Sequence, residues 1–506
     1  MIDRVLAFPS LRELVFGLAI ATSMVVFAWV GWIGSDDARH IDGALGWLWN
    51  FPYVPEHHGE FRHFITLPAA LCFKVFGISE FSAVLPILAY YFGLIAFTIV
   101  QLSRRVDAVT SLLAIVLITS MSVFSVRATV AYSDITEAFF VIASFWTFLV
   151  ACRGQGSRIG LLLLSGMLAG AGWLTRETTA ALLLVYGILF LANFGLPRRL
   201  YWVMAAGFMM VLACDAIFFL AQTGNPLYRY VEILSARSGF TTMEAVPGHL
   251  FNDIGNVQLN PIVDPFLALL VNHEMGVLFY FVPFVFWGLW KHDSMNRDVR
   301  RLSLLFLLLG GVWFVVTTFA ITRYHPRYYT VSAYCVAVAT AIWLRHVVYE
   351  LRPKLAFSLA IGLVAVALTG IYVENRNPLF GERVLVKLAK NTTEVIQTDP
   401  STFRRSLLLL RSDQLVDKVN IDTPRAGALY LYNPNRVKNN AENCSWIPAA
   451  DWELLGSYED DPKIIARLVQ AIHLDKILHP SLERRLVSPN SAVELYRVGT
   501  RSLCLG

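Results

Sequence analysis

Apolar runs close to the length needed to cross a bilayer recur along this chain, separated by short polar stretches. Candidate spans lie at 11–34, 79–102, 107–126, 134–152, 158–174, 177–195, 199–221, 265–290, 302–321, 328–346 and 355–373, about eleven helices in all. The run at 158–174 is the shortest of them. The first run, Leu11 to Gly34, is long enough to span and to stay, so it reads as an anchor rather than a cleaved signal.

Three pieces break this pattern. In residues 35–78, Phe64, Leu67, Pro68, Leu71, Cys72, Val75 and Phe76 fall at helical spacing. That stretch is too short to span and predicts a helix lying flat at the membrane interface. Residues 222–264 are polar and rich in Gly, Asn and Pro, with a helix-like segment from Pro226 to Arg237. In the tail, strand-like runs Ala428–Tyr432, Trp452–Gly456 and Ala492–Val498 alternate with helical patterns near 400–411 and 462–478. The expected fold class is therefore mainly α: a polytopic membrane protein of about eleven transmembrane helices with interfacial helices, plus a small C-terminal α/β soluble domain. The expected division is 1–375 for the membrane domain and 376–506 for the soluble one.

Charge fixes the orientation. Only 16% of the 506 residues are charged and 56% are hydrophobic, against about 25% charged in soluble domains. The net charge of +5 is small, and no basic cluster carries interleaved aromatics, which argues against a nucleic-acid partner. With the N-terminus inside, Arg104, Arg105, Arg153, Arg158, Arg198, Arg199, Lys291, Arg297, Arg300, Arg301, Arg345, Arg352 and Lys354 all fall in inside loops. Residues 35–78, 222–264 and 374–506 then face outward. Cys72, Cys152, Cys214 and Cys335 lie in apolar stretches. Cys444 and Cys504 lie in the tail, where an oxidising compartment would leave a disulfide or two free thiols equally open.

The outward face holds the unusual charges. Asp36 and Asp37 follow the first span in Ser35-Asp36-Asp37-Ala38-Arg39-His40. An acid pair at that depth is costly without a task, although a solvated helix cap is the plainer reading of the pair alone. Arg39 and Arg62 lie in the first outer loop, Arg176 in the turn Thr175-Arg176-Glu177, and Arg323, His325 and Arg327 in Arg323-Tyr324-His325-Pro326-Arg327-Tyr328-Tyr329. Guanidinium groups converging there suit a phosphate, and at that depth a lipid phosphate. A polar turn at Arg176 and a snorkelling aromatic belt at 323–329 are the bland alternatives. His57, His58 and Glu60 are candidate ligands for a divalent metal, with plain solvation as the commoner state of such loop histidines.

Together these features resemble the GT-C superfamily of membrane glycosyltransferases, nearest to the protein O-mannosyltransferases, aminoarabinose transferases and lipid A galacturonosyltransferases. The resemblance rests on Ser35-Asp36-Asp37-Ala38-Arg39-His40, on a segment opening at Arg62-His63-Phe64 and closing at Phe73-Lys74-Val75-Phe76-Gly77, and on Arg327-Tyr328 beside a late span. Asp37 stands where the family has Glu, and the prolines that follow the position of Arg62 in the family are missing. The likeness covers roughly residues 10–375, and no motif in the tail is matched.

The resemblance implies an enzyme of the bacterial inner membrane. It would move a sugar from a polyprenyl-phosphate donor to a lipid, glycan or protein acceptor on the periplasmic side. Asp36 takes the catalytic position with Asp37 in support. Arg62, Arg176, Arg323, Arg327 and Tyr328 hold the donor phosphate, and Arg39 and His325 assist. A divalent metal is possible, since relatives differ. A transporter or flippase is the competing reading, with Asp215 inside a span as its first residue. A non-catalytic scaffold is the third.

Overall fold

The computed structural model describes residues 11–154, 158–241, 266, 269–270, 272–292, 295–320, 326–374, 379–437, 445–460, 476, 492–501 and 503–505. Among them, seven helices are long and apolar enough to cross a membrane. Ala108–Ser120 and Ser122–Thr129, bent by 76° at Met121, make an eighth if they form one broken span. The labelled helices are α1 (Leu11–Phe27), α2 (Asp36–Trp49), α3 (His63–Phe76), α4 (Glu80–Arg105), α5 (Ala108–Ser120), α6 (Ser133–Cys152), α7 (Arg158–Thr175), α8 (Ala180–Leu191), α9 (Arg198–Thr223), α10 (Tyr228–Thr241), α11 (Val282–Lys291), α12 (Arg297–Ala320), α13 (Thr330–Trp343) and α14 (Pro353–Glu374). The chain is a mainly α, polytopic membrane protein with a small C-terminal α/β unit.

Three of the expected spans are shorter helices: α1, Glu177–Leu191 and Leu278–Lys291. The first is shortened for a visible reason. Residues 28–34 stay apolar, but Gly31 and Gly34 take positive φ angles of 75° and 64°, and the chain leaves the helix. Ile65, Ala69 and Phe73 of α3 are buried while Leu67, Leu71 and Val75 on its other face are exposed, as suits an interfacial helix. Of the outer loop 222–264, α10 covers the expected helix near 226–237; residues 242–264 fall outside the described part.

Burial sorts the bundle. Spans Ser133–Cys152 and Pro326–Leu351 are 83% and 89% buried and form its centre, whereas Arg198–Thr223 and Pro353–Tyr372 are 22% and 28% buried and face outward. The centre is pinned by side-chain hydrogen bonds. Trp146 Nε1 donates to Tyr334 Oη at 3.2 Å, which pairs with Thr98 Oγ1 at 2.7 Å, and Ser144 Oγ pairs with Tyr186 Oη at 2.7 Å. Lipid offers these groups no alternative partner.

The shortest expected span, α7, is also the most closely packed. Its composition is diluted by Gly166, Ala169, Gly170 and Gly172. A Cβ on Gly166 would lie 1.9 Å from the Met204 carbonyl oxygen, and one on Gly207 of α9 2.2 Å from the Leu163 carbonyl oxygen. The same small residues that weaken the hydropathy signal let the two backbones touch.

The tail continues with helices α15 (Phe380–Asn391) and α16 (Pro400–Ser412) and strands β1 (Ile396–Thr398), β2 (Val419–Asn420), β3 (Leu429–Tyr432), β4 (Ser445–Ile447), β5 (Glu453–Tyr458), β6 (Val493–Arg497) and β7 (Leu503–Leu505). One sheet has the order β2-β1-β3-β6-β5, parallel across β2, β1 and β3 and antiparallel beyond; β4 pairs with β7. Asp399 caps α16 by accepting the Thr402 amide at 2.9 Å, with Pro400 opening the helix. The three strand runs expected from alternation coincide with β3, β5 and β6, and the expected helix at 400–411 with α16. The helical pattern near 462–478 and the Cys444–Cys504 pairing involve residues outside the described part. Leu385, Leu408, Leu410, Leu431 and Val493 of the tail share one apolar core with Trp32, Ile41, Leu45, Ala69 and Phe73. The tail is thus seated on α2 and α3.

Gly166→Val should cost about 1–3 kcal/mol or more through overpacking at the α7–α9 crossing. Thermal unfolding of the purified protein in detergent measures it, with Gly187→Val, where nothing stands within 4 Å, as the neutral control.

Candidate active site

The loop 30–35 carries the chain from α1 to α2 and sets the acid pair. Asp37 is fully buried at 0% exposure. Its carboxylate accepts the backbone amides of Ile33 at 2.8 Å, Gly34 at 3.1 Å and Ser35 at 2.5 Å. Burial drives its pKa up to about 6 against the pull of those three donors. Asp36 opens α2 from the next position and turns the other way, its side chain 57% exposed. It pairs with Arg327 Nη2 at 2.7 Å. Burial raises the pKa of Asp36, but the Arg327 guanidinium outweighs it and leaves it below the ordinary carboxylate value. The two acids therefore divide: Asp36 is presented, and Asp37 ties the loop. The oxygens of Asp37 face the backbone amides of the loop that leads to Asp36.

Arg327 lies with its guanidinium 5.2 Å from the Tyr132 ring centre and 5.4 Å from that of Tyr328. Tyr328 in turn sits 4.4 Å from the guanidinium of Arg176. Arg176 is bonded to Asp134 and lies 3.6 Å from Glu137, both on the first turn and a half of α6. Glu137 also accepts the hydroxyls of Thr178 and Thr179. A chain of ion pairs and cation–ring contacts thus runs from the exposed Asp36 through Arg327, Tyr328 and Arg176 to two buried acids. Arg62 is buried and donates to the Thr175 carbonyl. Burial and the neighbouring Arg176 and Arg229 lower its pKa while Glu177 and Glu137 raise it; a guanidinium stays charged through shifts of this kind.

Arg62, Arg176, Arg327 and Tyr328 are therefore brought to one end of the bundle with Asp36. Arg323 and His325 lie outside the described residues. Arg39 is on α2 against Gly59, where an added Cβ would meet Arg39 Cβ at 2.6 Å. His40 is buried, pushed down to about 3 by burial and by Arg62, and bonds the Gly59 carbonyl through Nδ1 at 2.8 Å, so that nitrogen carries the proton. Glu60 accepts Tyr53 Oη at 2.7 Å and the amides of Glu56 and His57 at 3.1 and 3.4 Å, which closes its loop. Among the described residues no group of three His, Cys, Asp or Glu side chains gathers to hold a metal with His57, His58 and Glu60 or elsewhere.

Four participants were missed in the sequence: Tyr132, Asp134, Glu137 and Arg229. Asp134 and Glu137 had a signal, two acids at helical spacing where an apolar run begins. Arg229 had none, because its hydrogen-bond partners are backbone carbonyls and its acid neighbour, Asp215, is on another helix. It is 2% exposed and donates to Phe61 at 2.8 Å and Leu174 at 2.6 Å, joining the outer loops. Asp215 lies 3.7 Å from Arg229 and 3.5 Å from His63. Rings of Trp47, Phe218, Phe219 and Phe61 crowd that cluster. Asp215 thus belongs to a packed joint between α9, α3 and α10.

The basic residues of the opposite loops stay at the other end. Arg105 lies 5.1 Å from the Trp146 ring and Arg301 4.2 Å from that of Phe194, whereas Asp134 is in the first turn of the helix that carries Trp146 in its C-terminal half.

No protein-family model and no curated protein sequence matches the chain. Solved structures do. ArnT from Cupriavidus metallidurans in the apo state superposes with a TM-score of 0.55 at 14% identity, over 86% of this chain and 95% of that one. The same protein bound to undecaprenyl phosphate gives 0.55 at 12% identity, over 86% and 96%. The apo oligosaccharyltransferase of Archaeoglobus fulgidus gives 0.51 at 11% identity, over 95% and 88%. The chain has the GT-C fold. Within the GT-C fold observed here, the membrane bundle and the tail seated on it are both part of the similarity, since almost the whole chain is covered.

The raised pKa of Asp37 has a defined consequence for stability. Its proton is held more tightly in the folded state than in the unfolded one, so ionising it subtracts stability as pH rises from the ordinary carboxylate value of 3.8 to about 6. Over that window the melting temperature of the parent protein should fall relative to Asp37→Asn. A difference that stays flat with pH, followed by scanning fluorimetry in detergent, contradicts this assignment.

Proposed function

We propose that the protein transfers a sugar from a polyprenyl-phosphate-linked donor to an acceptor at the outer face of the bacterial cytoplasmic membrane. The observation that carries this reading is the pair Asp36–Arg327: a presented carboxylate held 2.7 Å from a guanidinium at the mouth of a charged cluster. The GT-C fold supports it, and one structural neighbour is an ArnT bound to undecaprenyl phosphate.

In this reading the acceptor hydroxyl attacks the anomeric carbon as the bond from that carbon to the phosphate oxygen breaks, through an oxocarbenium-like state. Asp36 takes the hydroxyl proton as general base. The electron pair of the broken bond goes to the departing lipid phosphate, whose growing charge Arg327 stabilises directly. Arg62 and Arg176 are enclosed behind Arg327, and Arg176, paired with Asp134 and seated on the Tyr328 ring, holds the Arg327 side of the site in place.

Arg327 also explains how a weak base becomes a useful one. In the resting arrangement the ion pair depresses the basicity of Asp36. A donor phosphate competes for the same guanidinium. Once Arg327 turns to the phosphate, the pKa of Asp36 rises, and the base is released only when the donor is bound. The sugar and the acceptor are chosen by surfaces beyond this cluster.

Asp36→Asn should lower transfer from a polyprenyl-phospho-sugar by about 10²–10⁴-fold; unchanged transfer at equal expression sinks the assignment. Arg327→Ala should raise the KM for donor more than that for acceptor, and equal changes would remove it from the phosphate. In the parent protein the acid limb of kcat should lie at higher pH than that of kcat/KM, because the first reports the donor-bound state and the second the free enzyme.

A further inference from the structure

The loop that presents Asp36 is gripped from the far end of the sequence. Glu80, the first residue of α4, accepts the Trp32 amide at 2.6 Å and, on the same oxygen, Arg383 of α15 at 2.7 Å. The Trp32 indole Nε1 donates to the Arg405 carbonyl of α16 at 2.6 Å, and Arg405 reaches back to the Ile33 carbonyl at 3.5 Å. On the membrane side, the Val30 amide donates to Thr129 Oγ1 at 3.1 Å. Residues 30, 32 and 33, three to six positions before Asp36, are thereby tied to Thr129, α4 and α16.

The two glycines of the loop record how closely it is held. A Cβ on Gly31 would lie 2.1 Å from Glu80 Oε1, and one on Gly34 would lie 2.9 and 3.0 Å from Arg405 Cβ and Cα. Both also sit at positive φ, which L side chains adopt only with strain. The loop therefore follows a path that only glycine permits, pressed by Glu80 on one side and the tail helix on the other. Asp37 fastens the last three residues of that path, and Asp36 rides on it.

We propose that Arg383 and Arg405 of the C-terminal unit are positioning residues for Asp36, acting through Glu80 and the backbone of Trp32 and Ile33, so that the tail is a working part of the catalytic centre. This rests on the reading of Asp36 as general base. Productive geometry at a base is steep in distance: a misplacement of about 1 Å costs up to about 10²-fold in rate. In the proposed reading the donor phosphate falls to Arg327, while the Arg383 and Arg405 side chains contact Glu80 and the Ile33 carbonyl. Their loss should therefore reach turnover through the placement of Asp36 and leave donor binding, which Arg327 governs, largely as it was.

The experiment uses the full chain in detergent, with Arg383→Ala, Arg383→Lys, Glu80→Gln, Gly34→Ala and Asp36→Asn compared with the parent. Amide hydrogen exchange is followed alongside transfer from a panel of polyprenyl-phospho-hexoses. Arg383→Ala, Glu80→Gln and Gly34→Ala should speed exchange in the segment 30–37 while α6 and α13 stay protected. They should lower kcat by about 10-fold or more, with the donor KM moving by less than about twofold. Arg383→Lys, which keeps the charge on Glu80, should recover most of both. Exchange at 30–37 unchanged in Arg383→Ala and Glu80→Gln, or raised equally throughout the bundle, overturns the inference. So does a kcat within about twofold of the parent in a protein whose Asp36→Asn variant is inactive. If Asp36→Asn is as active as the parent, the reading of Asp36 fails instead. The exchange result then still decides whether the tail holds the loop.

Discussion

Everything at the Asp36 end of this bundle depends on keeping ionised groups stable beside hydrocarbon. Isolated charges at that depth are expensive, and the protein meets the cost by pairing. Asp134 and Glu137 neutralise Arg176, Glu274 neutralises Arg127 at 3.0 Å, and Asp215 lies beside Arg229. Only the last pair in the series, Asp36–Arg327, reaches water on its acid side. It is the pair that an incoming anion can open without leaving a buried charge unmatched.

That constraint shapes the scaffold around it. The central helices α6 and α13 are buried nearly all round and present their polar first residues at the outer end. The interfacial helices α2 and α3 then close over that end, and the tail closes over them through a shared apolar core. The loop between α1 and α2 gives up its helical hydrogen bonds, recovers them from Glu80, Thr129, Asp37 and Arg405, and in exchange fixes where one carboxylate points.

Much of this could be read in the chain. Apolar length gave the bundle, because lipid imposes it on sequence directly. Alternation gave β3, β5 and β6 for the same kind of reason. The acid pair was found, with Asp36 put forward and Asp37 in support, but nothing in Asp36-Asp37 says that the Ile33, Gly34 and Ser35 amides will capture Asp37. Arg176 and Arg62 were read as phosphate ligands from their side of the membrane; how deeply they are enclosed depends on contacts with Asp134 and Thr175, far away in the sequence. Arg229 and the Glu80–Arg383 tie were invisible for the same reason. The α7 span, the shortest expected, has the lowest hydropathy of the long spans, and the glycines that lower it admit α9.

The most direct test is a structure of the protein in lipid nanodiscs with a polyprenyl phosphate added. The account predicts the phosphate within about 4 Å of the Arg327 guanidinium, with the Asp36 carboxylate released from it and turned to open space. A phosphate lodged elsewhere while the Asp36–Arg327 pair stays closed would contradict the account.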